Sequence, residues 1–180
     1  MDIIGVTNRN LCNDFYEKIR KIASSNLKYL ILREKDLSND ELFEMAYKIK
    51  GILDNSNVKL IINNNIYVAE KVNAYGVQLS YKYFNENIRN KYKGIIGISI
   101  HSFNEALKSQ ELGADYLLYG HVYETECKKG LKPRGLEELR KICEQVIIPV
   151  YGIGGINEKN YMDVLNVGAK GIAVMSSLMK

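Results

Sequence analysis

His121 and the cations downstream of it are the residues whose types and spacing suit chemistry. Tyr116, Leu117 and Leu118 have the pattern of a short buried strand, Gly120 breaks it, and His121 stands where the chain leaves it. Lys128, Lys129, Lys132 and Arg134 follow closely. A side chain that titrates near neutral pH, beside a cationic loop, suits proton transfer on an anionic small molecule. The plain alternative is a structural histidine next to a solvated loop, because charge runs mostly face water. The elements around the stretch must decide between them.

Short β-rich runs begin near Asp2, Lys28, Val58, Tyr75, Gly94, Asp115, Ile147 and Gly171, with helix-like stretches between them. Asp14 with Glu17, Ser38 with Glu41 and Ser102 with Glu105 have capping-box spacing, and Asn157 is the expected cap of a later helix. Leu136, Leu139, Ile142, Cys143 and Val146 share one helical face. Strand and helix in strict alternation imply parallel strands joined by right-handed crossovers, and eight such units make a closed (β/α)8 TIM barrel. An open doubly wound sheet is the competitor. The barrel is preferred because polar and glycine-bearing segments recur after nearly every strand, where a barrel gathers them at one mouth. Residues 1–180 read as one domain whose last outer helix is missing or very short.

Such a barrel brings Arg33, Lys35, Asn63, Asn64, Ser99, His101, His121 and Lys128 to one face, with Gly154 and Gly155 after strand seven and Ser176 and Ser177 after strand eight. Arg33 and Lys35 flank Glu34, so strand alternation sends both cations to the same side. Glycines at a strand end let backbone N–H groups approach a phosphate, and the serines can open a short helix whose N-terminus favours an anion. His101 precedes a helix N-terminus and suits capping as well as substrate contact. Carboxylates are scarce in this set, Glu34 and Glu126 being the nearest, so no divalent-metal cage is expected.

Composition narrows the classes further. Hydrophobic residues at 46% and charged residues at 26% argue for an ordinary folded domain rather than disorder. A net charge of +4, spread along the chain, is too mild and diffuse for a nucleic-acid footprint. Cys12, Cys127 and Cys143 form no CxxC pair, which argues against a disulfide framework or zinc site and fits a reduced cytoplasmic protein. No secretory signal or membrane-spanning run is visible.

Over nearly its whole length the chain resembles the thiamin phosphate synthase and TenI family. The segments concerned are Leu32–Lys35, Leu60–Asn64, Ile96–Ser102, Gly113–Gly130, Pro149–Ile156 and Gly168–Ser176. The resemblance implies a barrel acting on a phosphorylated thiazole, in one of two branches: a synthase joining a pyrimidine diphosphate to a thiazole phosphate, or a thiazole tautomerase. The synthase pattern has magnesium-binding acids where this chain has Asn64 and about Tyr83, a glutamine at Ile31 and a threonine at Cys127. The segment around His121 resembles the tautomerase branch, the synthase having proline there. Arg33, Lys35, Asn63, Ser99 and Lys128 match both.

The expectation is therefore a cofactor-free thiazole tautomerase with His121 as proton carrier, with Gly154, Gly155 and Ser176 on the phosphate and Lys128 or Arg33 with Lys35 on the carboxylate. The alternatives are a magnesium-dependent thiamin phosphate synthase and a non-catalytic barrel binding thiazole or thiamin phosphates. A homodimer is also expected. Without a long final helix, Ile3, Ile4, Val6, Ile172 and Val174 would leave an apolar patch on the first and last strands in water.

Overall fold

Alternate side chains along a strand have two destinations, and this chain sorts its apolar residues accordingly. In the computed structural model, which describes residues 1–180, the strands are β1 (Asp2–Val6), β2 (Tyr29–Leu32), β3 (Lys59–Asn63), β4 (Gly76–Ser80), β5 (Ile95–Ile100), β6 (Tyr116–Gly120), β7 (Val150–Ile153) and β8 (Gly171–Val174). Each is followed by a helix: α1 (Phe15–Ala23), α2 (Asn39–Leu53), α3 (Ile66–Lys71), α4 (Glu86–Lys91), α5 (Phe103–Glu111), α6 (Gly135–Gln145), α7 (Tyr161–Asn166) and α8 (Ser176–Met179). The strands pair in sequence order, all parallel, and β8 returns to β1. The fold is the expected TIM barrel.

Ile4, Val6, Tyr29, Ile31, Ile61, Tyr116, Leu118, Tyr151 and Ala173 fill the barrel interior. Their neighbours in phase, among them Leu30, Leu32, Leu60, Ile62, Ile96 and Ile98, pack outward under the helices. The same phase aims polar residues at the mouth. Arg33 continues Tyr29 and Ile31, Asn63 continues Ile61, and Ser99 shares the inward side with Gln78 of the neighbouring strand.

The helix starts follow the sequence signals with one exception. Ser38 and Glu41 form a complete capping box, and Asp14 and Ser102 accept from the N–H groups of Glu17 and Glu105 at 2.9 and 3.2 Å. Asn157 does not cap a helix. Its N–H donates to Asn160 Oδ1 at 2.8 Å and its own Oδ1 accepts from Lys159 N at 2.9 Å, so the two asparagines close a turn and α7 begins only at Tyr161.

The end of the barrel opposite the mouth is plugged by tyrosines. Tyr29 stacks on Tyr75 and Tyr116 with centroids 5.9 and 5.6 Å apart, and Tyr116 meets Tyr151 edge-on at 5.7 Å. Asp2 accepts from Lys28 Nζ at 2.8 Å and from Tyr151 Oη at 2.9 Å. Burial pushes the Asp2 carboxyl upward, but the bonds from Lys28 and Tyr151 outweigh it and hold the group below its ordinary value. A depressed carboxyl stabilises the fold above its unfolded pKa and loses that contribution as pH falls through the folded one. Asp2→Asn is thus expected to cost about 1 kcal/mol at neutral pH, and the gap to wild type should shrink below about pH 4. Urea melts at the two pH values check this; a gap that persists in acid would contradict it.

The apolar patch expected on β1 and β8 is largely covered, with Ile3 and Val174 left partly exposed. Ile4 and Val6 point into the barrel, and α8, only four residues long, is laid across the outward side. Met179 is fully buried, Leu178 packs on Gly5, and Ile172 is 7% exposed. The patch behind the expected homodimer is thus smaller than the sequence implied. No helix is long and apolar enough to cross a membrane.

Candidate active site

The mouth is organised by what holds β1 to the end of β2. Glu34 points away from the barrel axis and is buried, where it accepts from Thr7 Oγ1 at 2.7 Å, Arg9 N at 3.1 Å and Arg9 Nη1 at 2.9 Å. Thr7 Oγ1 in turn accepts from Arg33 N at 3.0 Å. Arg9 also grips Asp36. With Glu34 anchored outward, Arg33 and Lys35 are released to the opposite side.

Neither cation has an acidic partner, and nor does Lys128 in the turn Glu126–Lys128 after β6; the ion pairs of the protein lie elsewhere, on Arg9, Arg20, Lys28, Lys50, Arg89 and Lys108. The three stand close enough to feel one another. Arg33 chiefly, then partial burial and Lys128, hold the Lys35 ammonium below its ordinary value. Like charges converging without a counterion make an anion site.

An anion bound there would raise the depressed Lys35 pKa back toward the ordinary lysine value, so binding should take up protons and weaken in the alkaline range just below about 10.4, where the free ammonium loses its proton first. Calorimetry with inorganic pyrophosphate checks this against Lys35→Arg, which stays charged. The ligand's own titration cancels in that comparison, and an identical pH dependence in both proteins would refute the linkage.

The β6–β7 side is differently built. His121 is 8% exposed, and its Nε2 lies 3.1 Å from the Leu131 carbonyl oxygen. A carbonyl only accepts, so that nitrogen carries the proton and the ring is tied back under the basic loop rather than displayed in the mouth. His101 is likewise occupied. Its Nδ1 donates to Gly120 O at 2.7 Å, its N–H donates to Glu105 Oε2 at 2.6 Å, and its carbonyl accepts from Arg134 Nη1 at 2.6 Å. Both histidines fasten loops.

Gly154 and Gly155 have φ of 98° and 69°, conformations that favour glycine. A Cβ on the first would strike His121, and on the second the Tyr123–Glu124 backbone. Their first demand is thus close packing of the two loops, which leaves them at the rim. Ser176 and Ser177 are the first two residues of α8, behind Met175 as cap, so they offer a helix start after β8 as anticipated.

Magnesium, which the synthase alternative brings with it, does not fit the side chains present. No three His, Cys, Asp or Glu residues converge on a point. Asn64 spends its amide on Ser80, accepting from the N–H at 2.8 Å and donating to Oγ at 3.1 Å. Tyr83 is half exposed with Lys82 Nζ 4.7 Å from its ring centroid. Neither position supplies an anionic oxygen.

Sequence reasoning brought Arg33, Lys35, Asn63, Ser99, Lys128 and the two glycines to one end, and the structure places them there. It missed Thr7 and gave Glu34 no role. It also missed Gln78, whose signal was a lone amide inside the apolar alternation Val77–Leu79.

Comparison with known proteins bears on the choice between branches. The chain is 38% identical over 180 residues to a thiamine-phosphate synthase of Clostridium acetobutylicum, covering 97% of this chain and 85% of that one. It is 40% identical over 151 residues to a thiamine-phosphate synthase of Clostridium tetani, covering 82% and 72%. A solved thiamine phosphate pyrophosphorylase from Pyrococcus furiosus superposes with a TM-score of 0.88 at 33% identity, covering 99% and 87%. These names overturn the expected tautomerase, whose proton carrier is in any case the ring tied to Leu131, and they favour the synthase alternative. Residues 3–178 match the family described as thiamine monophosphate synthase, and with relatives this similar over most of its length the chain belongs to that family.

Proposed function

We propose that the protein is a thiamine-phosphate synthase, a transferase that joins a pyrimidine diphosphate to a thiazole phosphate and releases diphosphate. The observation that carries this reading is the unpaired cluster of Arg33, Lys35 and Lys128 at the mouth. A diphosphate gains charge as its bond to carbon breaks, so cations fixed beside it favour the transition state over the bound substrate. The similarity to named synthases over most of the chain supports the same assignment.

In this scheme Arg33, Lys35 and Lys128 hold the diphosphate, and Asn63 and Ser99 offer neutral polar contacts at the inner wall. Gly154, Gly155, Ser176 and Ser177 are assigned to the phosphate of the thiazole partner. Such a displacement asks no proton transfer of His121, whose buried, bonded ring is consistent with a structural duty. No step is assigned to a metal. The three free cysteines fit a reducing compartment, the cytoplasm.

The deciding experiment incubates purified protein with the pyrimidine diphosphate and thiazole phosphate, with and without added magnesium, and separately with the carboxythiazole phosphate, reading products by mass. The expected result is the joined product with an equal amount of diphosphate. Unchanged substrates that nevertheless bind would leave only a binding barrel and sink the assignment.

A further inference from the structure

Gln78 is a buried amide inside a barrel filled by Ile4, Val6, Ile31, Ile61 and Leu118 and the tyrosines of its closed end. It is 1% exposed, lies between Asn63 on β3 and Gly97 on β5 in register, and donates from Nε2 to Ser99 Oγ at 3.0 Å. Burying an amide is unfavourable unless its atoms are bonded, yet Gln78 Oε1 has no partner, and neither does the buried hydroxyl of Tyr116. Both atoms crowd the space that a Cβ on Gly97 would take. For filling the barrel, a methionine would do as well at lower cost.

We propose that Gln78 is a positioning residue that fixes Ser99 as a hydrogen-bond donor toward the anion in the mouth. A hydroxyl has one proton and two lone pairs. Gln78 occupies a lone pair with its N–H, and Ser99 Oγ makes no other hydrogen bond in the protein, so its proton is turned outward. Tyr116, a phenol kept neutral by burial, lies beside the amide but makes no bond to Oε1, so Ser99 is the only hydrogen-bond partner of the Gln78 side chain. An acceptor at position 78 would take the Ser99 proton and present the Ser99 lone pairs to the ligand.

The inference rests on the synthase reading only for which anion is bound. Its test is a double-mutant cycle on Gln78→Met and Ser99→Ala, with inorganic pyrophosphate affinity measured by calorimetry. Ser99→Ala is expected to weaken binding about 10-fold, the value of a hydrogen bond to a charged group. Gln78→Met should weaken it about 3- to 10-fold with Ser99 present and not at all in the Ser99→Ala background, since it acts through that hydroxyl. Equal losses in both backgrounds, or none, overturn the proposal. If Gln78→Met does not fold, Gln78→Leu, which also removes the donor, is run through the same cycle and judged by the same rule. Wild type failing to bind pyrophosphate would overturn both the proposal and the anion site. Coupling that holds in a protein forming no joined product would keep the proposal and remove only the synthase assignment.

Discussion

Arg33→Ala is expected to lower kcat/KM for coupling the two substrates by about 100- to 1,000-fold, the range for removing one fixed donor facing developing charge. The effect should fall more on kcat than on KM, because the leaving diphosphate is more anionic in the transition state than in the bound substrate. Arg33 is suited to this by construction. Its backbone N–H is held by Thr7, it continues the inward phase of β2, and no carboxylate neutralises it. Arg33→Lys should recover only part of the loss, since an ammonium lacks the planar fork that matches two phosphate oxygens. A loss of less than about 3-fold, as for a solvated surface cation, would show that the cluster does not face the substrate.

Glu34→Ala is expected to be the most destabilising single change near the mouth. Removing it leaves Thr7 and Arg9 without their acceptor, at a cost of about 3 kcal/mol, the low end for a broken buried ion pair. The low end applies because Arg9 keeps Asp36 and some solvent. For a chain of this size, that corresponds to a Tm lower by about 6–12 °C. Glu34→Gln, which can still accept from Thr7 and Arg9 N, should lose about 1 kcal/mol. Thermal melts distinguish the two variants, and equal Tm values would mean that the acceptor oxygen kept by glutamine contributes nothing to how the loop is held.

What could be seen in the sequence was local and periodic. The alternation of eight strand patterns with helices is written in spacings of two and of three to four residues, and Ser38 with Glu41 needs only three residues to declare itself. The cations at 33, 35 and 128 were found because a barrel gathers strand ends, whatever the side chains do there. What stayed hidden depends on partners far apart. Thr7 meets Glu34 across 27 residues, and nothing near His121 announces that the Leu131 carbonyl will take its proton. Asn157 and Asn160 are equally good caps on paper, and only their mutual bonding decides which precedes the helix. The branch was misjudged because one loop motif was weighed above the similarity of the whole chain.

The tyrosine plug also gives this molecule an optical signature. The chain has 13 tyrosines and no tryptophan, so its near-ultraviolet emission is not drained into an indole. Tyr29, Tyr75, Tyr116 and Tyr151 are packed ring to ring at the closed end, where rigid, asymmetric surroundings give aromatic transitions their circular dichroism. That band would report on the base of the barrel while ligands come and go at the far rim, so unfolding can be followed without a label in the presence of any ligand that does not absorb there.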